Sequence, residues 1–435
     1  MFKKSISLIL AAVLAAALFS GFAQAEGSNQ LVLSITPDAA PGLWEETLEA
    51  FQKAYPDIEL VVDMEQGCSS RLQPLMVAGT PPDVTSTNHF EFDLFGAIVA
   101  GQYQSVAYIL NDTVEGTDQT YADLFDPSLF DTVTINGEIM LAPIGGFLYG
   151  IVYDQKLLRD NGIDPPKTHE EFMAAGAKLA EQGIALMGYP GVYSGYVVNT
   201  LIGPSIYAYG GAQAYFDTMF VAAKGGWQSD AVKRALQDFV DLRDAGYLLN
   251  GTVAIDHIQT QMEVLNRRVG FISTGSWFVL EMGDAIPEDF EAAYMAAPAR
   301  GEAGLNVVGG YQNYVGVPAK AKNPENAKKF IQFLYTPEVQ LIFCKYGLVP
   351  GLKNTDAEAL SKISDFEQGA FTLAAQDGVA AADTLASLLY PTLFKVLTDN
   401  INLLAMGEIS IDQFCEEAEA EAENIRNNPD IPKFK

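Results

Sequence analysis

From Leu31 onward, short apolar runs alternate with stretches whose apolar residues recur at helical spacing. Leu31-Val32-Leu33-Ser34-Ile35 predicts a strand, and Thr36, Pro37, Asp38 and Pro41 a turn after it. Leu43, Trp44, Leu48, Phe51 and Tyr55 then fall on one helical face, which Pro56 ends. Ile58 to Val62 predicts a second strand and Arg71 to Val77 a short helix. Pro81-Pro82 introduces a third strand at Asp83-Val84-Thr85-Ser86. This strand-helix order predicts an α/β unit with a mostly parallel sheet.

Further along, the helix ends are written in the sequence. Thr168 and Glu171 form a capping box before the apolar stripe Phe172, Ala175, Leu179, with Gly183 placed to terminate the helix. Asn323 reads as the cap of a later helix, with Pro324 at its first position and Ala327, Phe330, Ile331 and Leu334 on its apolar face. Thr336-Pro337-Glu338 starts another helix at once. No internal repeat or low-complexity linker divides the chain.

The first 25 residues follow a different pattern. Lys3 and Lys4 precede an apolar stretch from Ile6 to Phe19, and Ala23-Gln24-Ala25 has the small-x-small form of a cleavage site. This predicts a removed export signal, because the apolar stretch is shorter than the ~20 residues a spanning helix needs. Phe22 stands where a lipid-bearing cysteine would follow Ser20-Gly21, so no lipid anchor is expected and the mature chain is expected in the periplasm or outside the cell. Cys68, Cys344 and Cys415 allow at most one disulfide, and buried thiols are the simpler expectation.

Over 435 residues, 26 Lys+Arg stand against 55 Asp+Glu, a net charge of −29. Such a surface repels phosphate backbones and anionic lipid, so no nucleic-acid partner is expected. Nucleotide-binding glycine loops, a His-Glu-x-x-His pair and a Gly-x-Ser-x-Gly elbow are absent from the sequence. His89, His169 and His257 are its three imidazoles: His169 falls in the first turn of the capped helix, where exposure is the default, and His257 stands alone in a helix-like stretch. The acidic run Glu416, Glu417, Glu419, Glu421, Glu423 alternates with Phe414, Ala418, Ala422 and Ile425, which predicts a solvated helix face rather than a cation site. No cofactor or metal is expected.

The order of segments resembles a known family. Arg71 through Val84 resembles the entry to the third strand in extracellular solute-binding proteins of ABC importers, of the carbohydrate-type, maltose-binding-protein-like branch. Asn136 to Pro143 with Tyr149 to Leu157 is similar to their first lobe crossing, and Asn161 to Glu171 to the loop and capped helix that follow. Arg268 to Trp277 is similar to the strand and turn ending in the aromatic that faces sugar. Gly309 to Pro318 with Asn323 to Phe330 resembles the return to the first lobe. These pieces cover most of residues 31–352. The Tyr-rich middle, Tyr189 to Tyr215, departs from the branch.

The resemblance implies an α/β periplasmic-binding-protein fold: two lobes, a ligand cleft and three hinge crossings, here near Pro143, Val308 and Val349. The first lobe would hold residues 26–143 and 309–348, and the second 144–308 and 349–435. It further implies a monomer, not an enzyme, that binds a small solute, most simply a mono- or oligosaccharide, and delivers it to ABC permease subunits in the membrane. A secreted glycan hydrolase with a carboxylate pair is the alternative.

Open α/β sheets bind ligands at the carboxyl ends of their strands. That rule selects Asp38, which also reads as a helix cap, Glu65, which surface exposure explains equally well, and Asn88, whose amide offers both donor and acceptor to a hydroxyl pair. Phe147 lies just after the first crossing, in the cleft or in the core. Tyr193 and Tyr196 lie in a Gly-rich stretch that favours exposed rings. Trp227, after Gly225-Gly226, could line the rim or pack on its helix. Trp277 follows the small turn Thr274-Gly275-Ser276, which would leave room for a sugar's C–H face against the indole. Tyr311 would offer a second ring and Asn313 a hydrogen bond.

Overall fold

The computed structural model describes residues 29–36, 42–65, 67–87, 92–354, 357–385, 389–429 and 431, with backbone alone at 128, 311 and 312. Residues 1–25, Asp38, Asn88 and the Tyr311 side chain therefore lie outside the description.

The predicted opening alternation is present: β1 (Gln30–Ser34), α1 (Leu43–Ala54), β2 (Glu59–Asp63), α2 (Cys68–Ala78) and β3 (Val84–Ser86). β1 lies parallel to both β2 and β3. The Pro81-Pro82-Asp83 turn works through the buried Asp83 carboxylate. One oxygen accepts from Val32 N at 2.9 Å and Asn323 Nδ2 at 3.0 Å, the other from Lys322 N and Asn323 N at 2.9 Å. Asn323 thus differs from the expected cap: its amide is held by Asp83 and makes no capping bond to its own helix.

Beyond these come β4 (Leu141–Asp154), α3 (His169–Ala180), β5 (Ala185–Gly188), α4 (Gly203–Met219), α5 (Asp230–Asp244), α6 (His257–Leu265), β6 (Val269–Gly275), α7 (Phe278–Met282), β7 (Ala292–Met295) and β8 (Asn306–Pro318). The capping box at Thr168 and Glu171 opens α3 as predicted. The chain closes with α8 (Pro324–Phe333), α9 (Pro337–Lys345), α10 (Asp365–Ala374), β9 (Val379–Asp383), α11 (Pro391–Met406) and α12 (Ile411–Asn427).

Hydrogen bonds link the strands in the order β2-β1-β3-β8-β4-β6-β5, with β7 on β4 and β9 on β8. The long antiparallel strands β4 and β8 serve both lobes. Val315 and Gly316 of β8 pair with β3, while Asn306 to Gly310 pair with β9. Tyr149 to Tyr153 of β4 pair with β6. Between these ends the β4–β8 register shifts: Asn313 faces Gly145 but Tyr314 faces Pro143, leaving Ile144 as the extra residue of a bulge. Val308, where the middle crossing is expected, lies within β8, which continues past this shift to Pro318. The third passage is pinned alongside, where Gly146 and Val349 exchange backbone bonds of 2.8 and 3.1 Å. After it, Leu352 bridges Phe125, and Ala359 and Ile363 pack on Cys344, before α10 returns to β7 and β9.

One apolar core joins Leu31, Phe51, Val84, Val315 and Phe330. A second, larger core runs through Phe172, Leu236, Phe239, Phe271, Leu397 and Phe414. The acidic run does lie on α12, whose Phe414, Ala418, Ala422 and Ile425 are buried. Among the described residues, no helix is long and apolar enough to cross a membrane.

Candidate functional site

Strand alternation builds the centre of the site. Phe147 and Tyr149, two apart on β4, project from one face. Tyr149 pairs with Gly275, which has no side chain to fill the space beside it. The Trp277 indole fills that space: a Cβ on Gly275 would lie 2.2 Å from the ring. Ser276 fixes the turn, its N–H donating to Leu148 O at 2.9 Å and its hydroxyl accepting from Leu148 N at 3.2 Å. The indole then meets the rings of Tyr149, Phe147 and Tyr196 nearly edge-on, with centroids 5.0, 5.9 and 6.0 Å away. Burial pushes the Tyr149 phenol up to about 12, against a smaller opposing effect of its bond to Asn199.

The loop after β5 carries Tyr193 and Tyr196 and is tied to α11. Ser194 donates to Thr398 O at 2.7 Å, Asn402 Nδ2 to Gly191 O at 2.9 Å, and the Tyr189 hydroxyl to Asn402 Oδ1 at 3.0 Å. The loop glycines give room: a Cβ on Gly195 would lie 2.8 Å from the Phe394 ring. Between loop and helix opens a cavity of about 440 Å³. Tyr149, Tyr193, Tyr196 and Asn199 line one side, Phe394, Lys395, Thr398, Asp399 and Asn402 of α11 another, and Phe92 also reaches it. Asp399 is the one carboxylate among these described residues, and Lys395 Nζ lies 2.7 Å from it.

Several expected residues meet here. Trp277 and Phe147 are in the aromatic cluster, but the turn that was to leave room for a ligand is occupied by the indole itself, which is 7% exposed. Tyr193 is 52% exposed and lines the cavity. Tyr311 pairs with Phe147 through its backbone, and Asn313 is buried beside the register shift. Asp38 and Asn88 lie outside the described residues, and Thr36 and Thr87 are the described residues just before them. Thr36 bonds Ser86, and Thr87 exchanges bonds with the Tyr314 backbone at the register shift. Glu65 is exposed, its carbonyl accepting from Cys68 N. Trp227 is a correction: at 1% exposure it is packed among α4, α5 and α12, not on a rim, and Glu419 of α12 accepts from its backbone N–H at 3.4 Å.

Tyr149, Asn199, Phe394 and Asn402 escaped the sequence reading. The Phe147-x-Tyr149 spacing was the available signal for the first. The α11 residues had none, because only the tertiary fold brings that helix to the loop. His257 is not solitary as expected: its Nε2 lies 3.0 Å from Glu281 Oε1, and its ring stacks on Tyr196. His169 is half-buried rather than exposed, 3.0 Å from Asp241. With Asp238 these two have metal-ligand spacing, yet the group is internally bonded, Asp238 accepting from the Tyr209 hydroxyl. Cys68, Cys344 and Cys415 are buried thiols.

Residues 36–341 match the family model for bacterial extracellular solute-binding protein. The chain is 23% identical over 302 residues to a diacetylchitobiose binding protein, NgcE, of Streptomyces coelicolor. That match covers 67% of this chain but 62% of the relative, less than two thirds of its length. Among solved structures, a chitin oligosaccharide binding protein superposes with a TM-score of 0.75 at 21% identity, covering 91% of this chain and 99% of that one. The bacterial solute receptor AcbH, described as preferring β-D-galactopyranose, gives 0.75 at 14% identity, over 92% and 100%. These likenesses carry the two-lobed fold.

Proposed function

The chain belongs to the bacterial extracellular solute-binding protein family, and from that premise we propose that it binds a neutral mono- or oligosaccharide outside the cytoplasm and delivers it to an ABC-type permease. The carrying observation is the cavity of about 440 Å³ walled by Tyr149, Tyr193, Tyr196 and Phe394 and edged by Asn199, Thr398 and Asn402. Aromatic faces match the C–H face of a pyranose, while amides and hydroxyls match its rim. A glycosidase needs two carboxylates about one bond. The described lining offers Asp399 alone, paired with Lys395. This favours binding over hydrolysis. The names of NgcE and of the chitin oligosaccharide binder make β-linked N-acetylglucosamine oligomers the first candidates.

In this reading Tyr193, Tyr196 and Phe394 face the sugar, and Trp277 with Phe147 supports them from behind. Asp38, Asn88, Tyr311 and Asn313 contribute from the crossing and the first lobe. Residues 1–25 direct export, and the protein acts as a monomer. Closure about the three crossings buries the ligand between lobes, so saturating sugar should lower the radius of gyration in small-angle scattering.

The test is a thermal-shift and calorimetric screen of N,N′-diacetylchitobiose, longer chitin oligomers, galactose and other sugars, with amino acids and polyamines as controls. A raised melting temperature with a sugar recovered unchanged supports the reading. A cleaved sugar, or a shift only with an amino acid or polyamine, refutes it.

A further inference from the structure

Behind the wall that faces the cavity lies a group the binding chemistry above does not use. His257 is the first residue of α6, and its ring stacks on Tyr196 with planes 14° apart and centroids at 6.3 Å. The same ring meets Tyr193 edge-on at 5.7 Å. It therefore backs both tyrosines of the loop, and Tyr196 in turn abuts Trp277 and Tyr149. The far side of the imidazole is anchored. Glu281 of α7 puts Oε1 3.0 Å from His257 Nε2, and its Oε2 accepts from Gln261 Nε2 at 2.6 Å. Gln261 is buried and lies one helical turn beyond His257, so the carboxylate is gripped from one face of α6.

We propose that His257 is a positioning residue for the aromatic wall, and that its charged form, clamped by Glu281, holds Tyr193 and Tyr196 in the ligand-competent arrangement so that affinity falls as the imidazole loses its proton. The inference rests on the sugar-binding reading of the cavity and adds a pH dependence to it. Among the described residues, the titratable groups facing the imidazole are Glu281 from α7, Asp256 from the turn before α6, and Tyr193 and Tyr196 from the loop. The hydrogen bond to Glu281 raises the affinity of His257 for its proton above that of an ordinary histidine, against a smaller effect of burial; Coulomb attraction to Glu281 and Asp256 acts with the bond. The contribution is thus complete in mild acid and disappears as pH rises through that raised value. The added proton makes the Nε2–Glu281 bond charge-assisted, which tightens the hold on the ring that backs both tyrosines. Tyr196 is pushed well above its ordinary range by burial, so its phenol stays neutral throughout.

The first arm of the test needs no ligand. In proton NMR of the full chain from about pH 5 to about pH 8, the His257 ring resonance, identified by its absence in His257→Gln, should titrate above the usual histidine midpoint. The Trp277 indole N–H should shift with the same midpoint. Glu281→Gln should lower both midpoints together. A Trp277 signal that ignores the His257 titration, or a His257 midpoint unchanged by Glu281→Gln, overturns the proposal. The second arm is calorimetry with N,N′-diacetylchitobiose. Its dissociation constant should rise about threefold to tenfold between about pH 5.5 and about pH 8 in the wild type and stay flat in His257→Gln. A flat wild-type profile overturns the proposal. Failure of every sugar to bind refutes the sugar reading instead, and the NMR arm still decides whether His257 sets the wall.

Discussion

Trp277→Ala separates a ring that supports the wall from a ring that acts only as a sugar platform. The indole is 7% exposed and meets three aromatic neighbours edge-on at 5.0 to 6.0 Å. Such pairs contribute about 0.5–1.5 kcal/mol each beyond burial, and truncating a buried tryptophan costs about 3–5 kcal/mol in all. A pure platform would leave the ligand-free protein nearly unaffected and cost about 2 kcal/mol or more of binding. The geometry therefore predicts two losses: a drop of about 3 kcal/mol or more in ligand-free stability, and weakened binding as Tyr149 and Tyr196 lose their backing. Trp277→Phe keeps a ring in the space over Gly275 and should recover most of the stability. The assays are urea unfolding without ligand and calorimetric titration of the folded variant. An Ala variant within about 1 kcal/mol of wild-type stability that no longer binds sugar refutes the supporting role. One that is destabilised yet binds with unchanged affinity removes Trp277 from the site.

Asp83→Ala leaves the N–H groups of Val32, Lys322 and Asn323 without their acceptor and should cost about 3–5 kcal/mol in urea unfolding; a loss under about 1 kcal/mol would mean water replaces the carboxylate. Gly195→Val drives a side chain into the Phe394 ring, so sugar affinity should fall more than about tenfold while unfolding shifts by about 1–3 kcal/mol; calorimetry showing normal affinity would place the ligand away from this wall. Burial holds the Cys344 thiol at about 12 and that of Cys415 at about 11, and it also raises Cys68. A maleimide at about pH 7.5 should therefore label the native protein slowly and all three thiols after unfolding, and rapid labelling of the native chain would contradict the burial.

How much of this was legible depended on the range of the interaction. The opening strands and helices follow from local periodicity and proline placement, and Thr168 with Glu171 makes its capping box as read, because a box needs only four consecutive residues. Asn323 misled because its partner is Asp83, 240 positions away, and a buried carboxylate outcompetes the local cap. Trp227 misled for the same reason: Gly225-Gly226 resembles a loop rim, but α12 arrives from the far end of the chain to cover the indole. In the site, Phe147 and Trp277 could be named because each sits at a sequence landmark. Tyr149 had the Phe147-x-Tyr149 spacing as a signal, to which its pairing with Gly275 gives weight, whereas Phe394 becomes significant only through its contact over Gly195.

The glycines at the crossings carry the same lesson into the mechanism. Gly145-Gly146 and Gly309-Gly310 suggest backbone freedom at a hinge, yet the structure uses the first of each pair for room. A Cβ on Gly145 would lie 2.9 Å from both Leu348 Cγ and Val349 O, and one on Gly309 would lie 2.5 Å from Asn199 O. At these points the chain segments press together so closely that a methyl group would force them apart. Pivoting is easier at the register break, where Ile144 is the extra residue opposite Asn313 and Tyr314 and the ladder is already interrupted. A bulge there lets β4 and β8 bend as a pair, while the Gly146–Val349 bonds keep the third passage in step with them. The aromatic cluster lies only a few residues from this break along β4, at Phe147 and Tyr149. On the proposed sugar-binding reading, a ligand against Tyr149 would sit a few residues along β4 from this break, and closure about it is what the fall in radius of gyration on sugar binding would register.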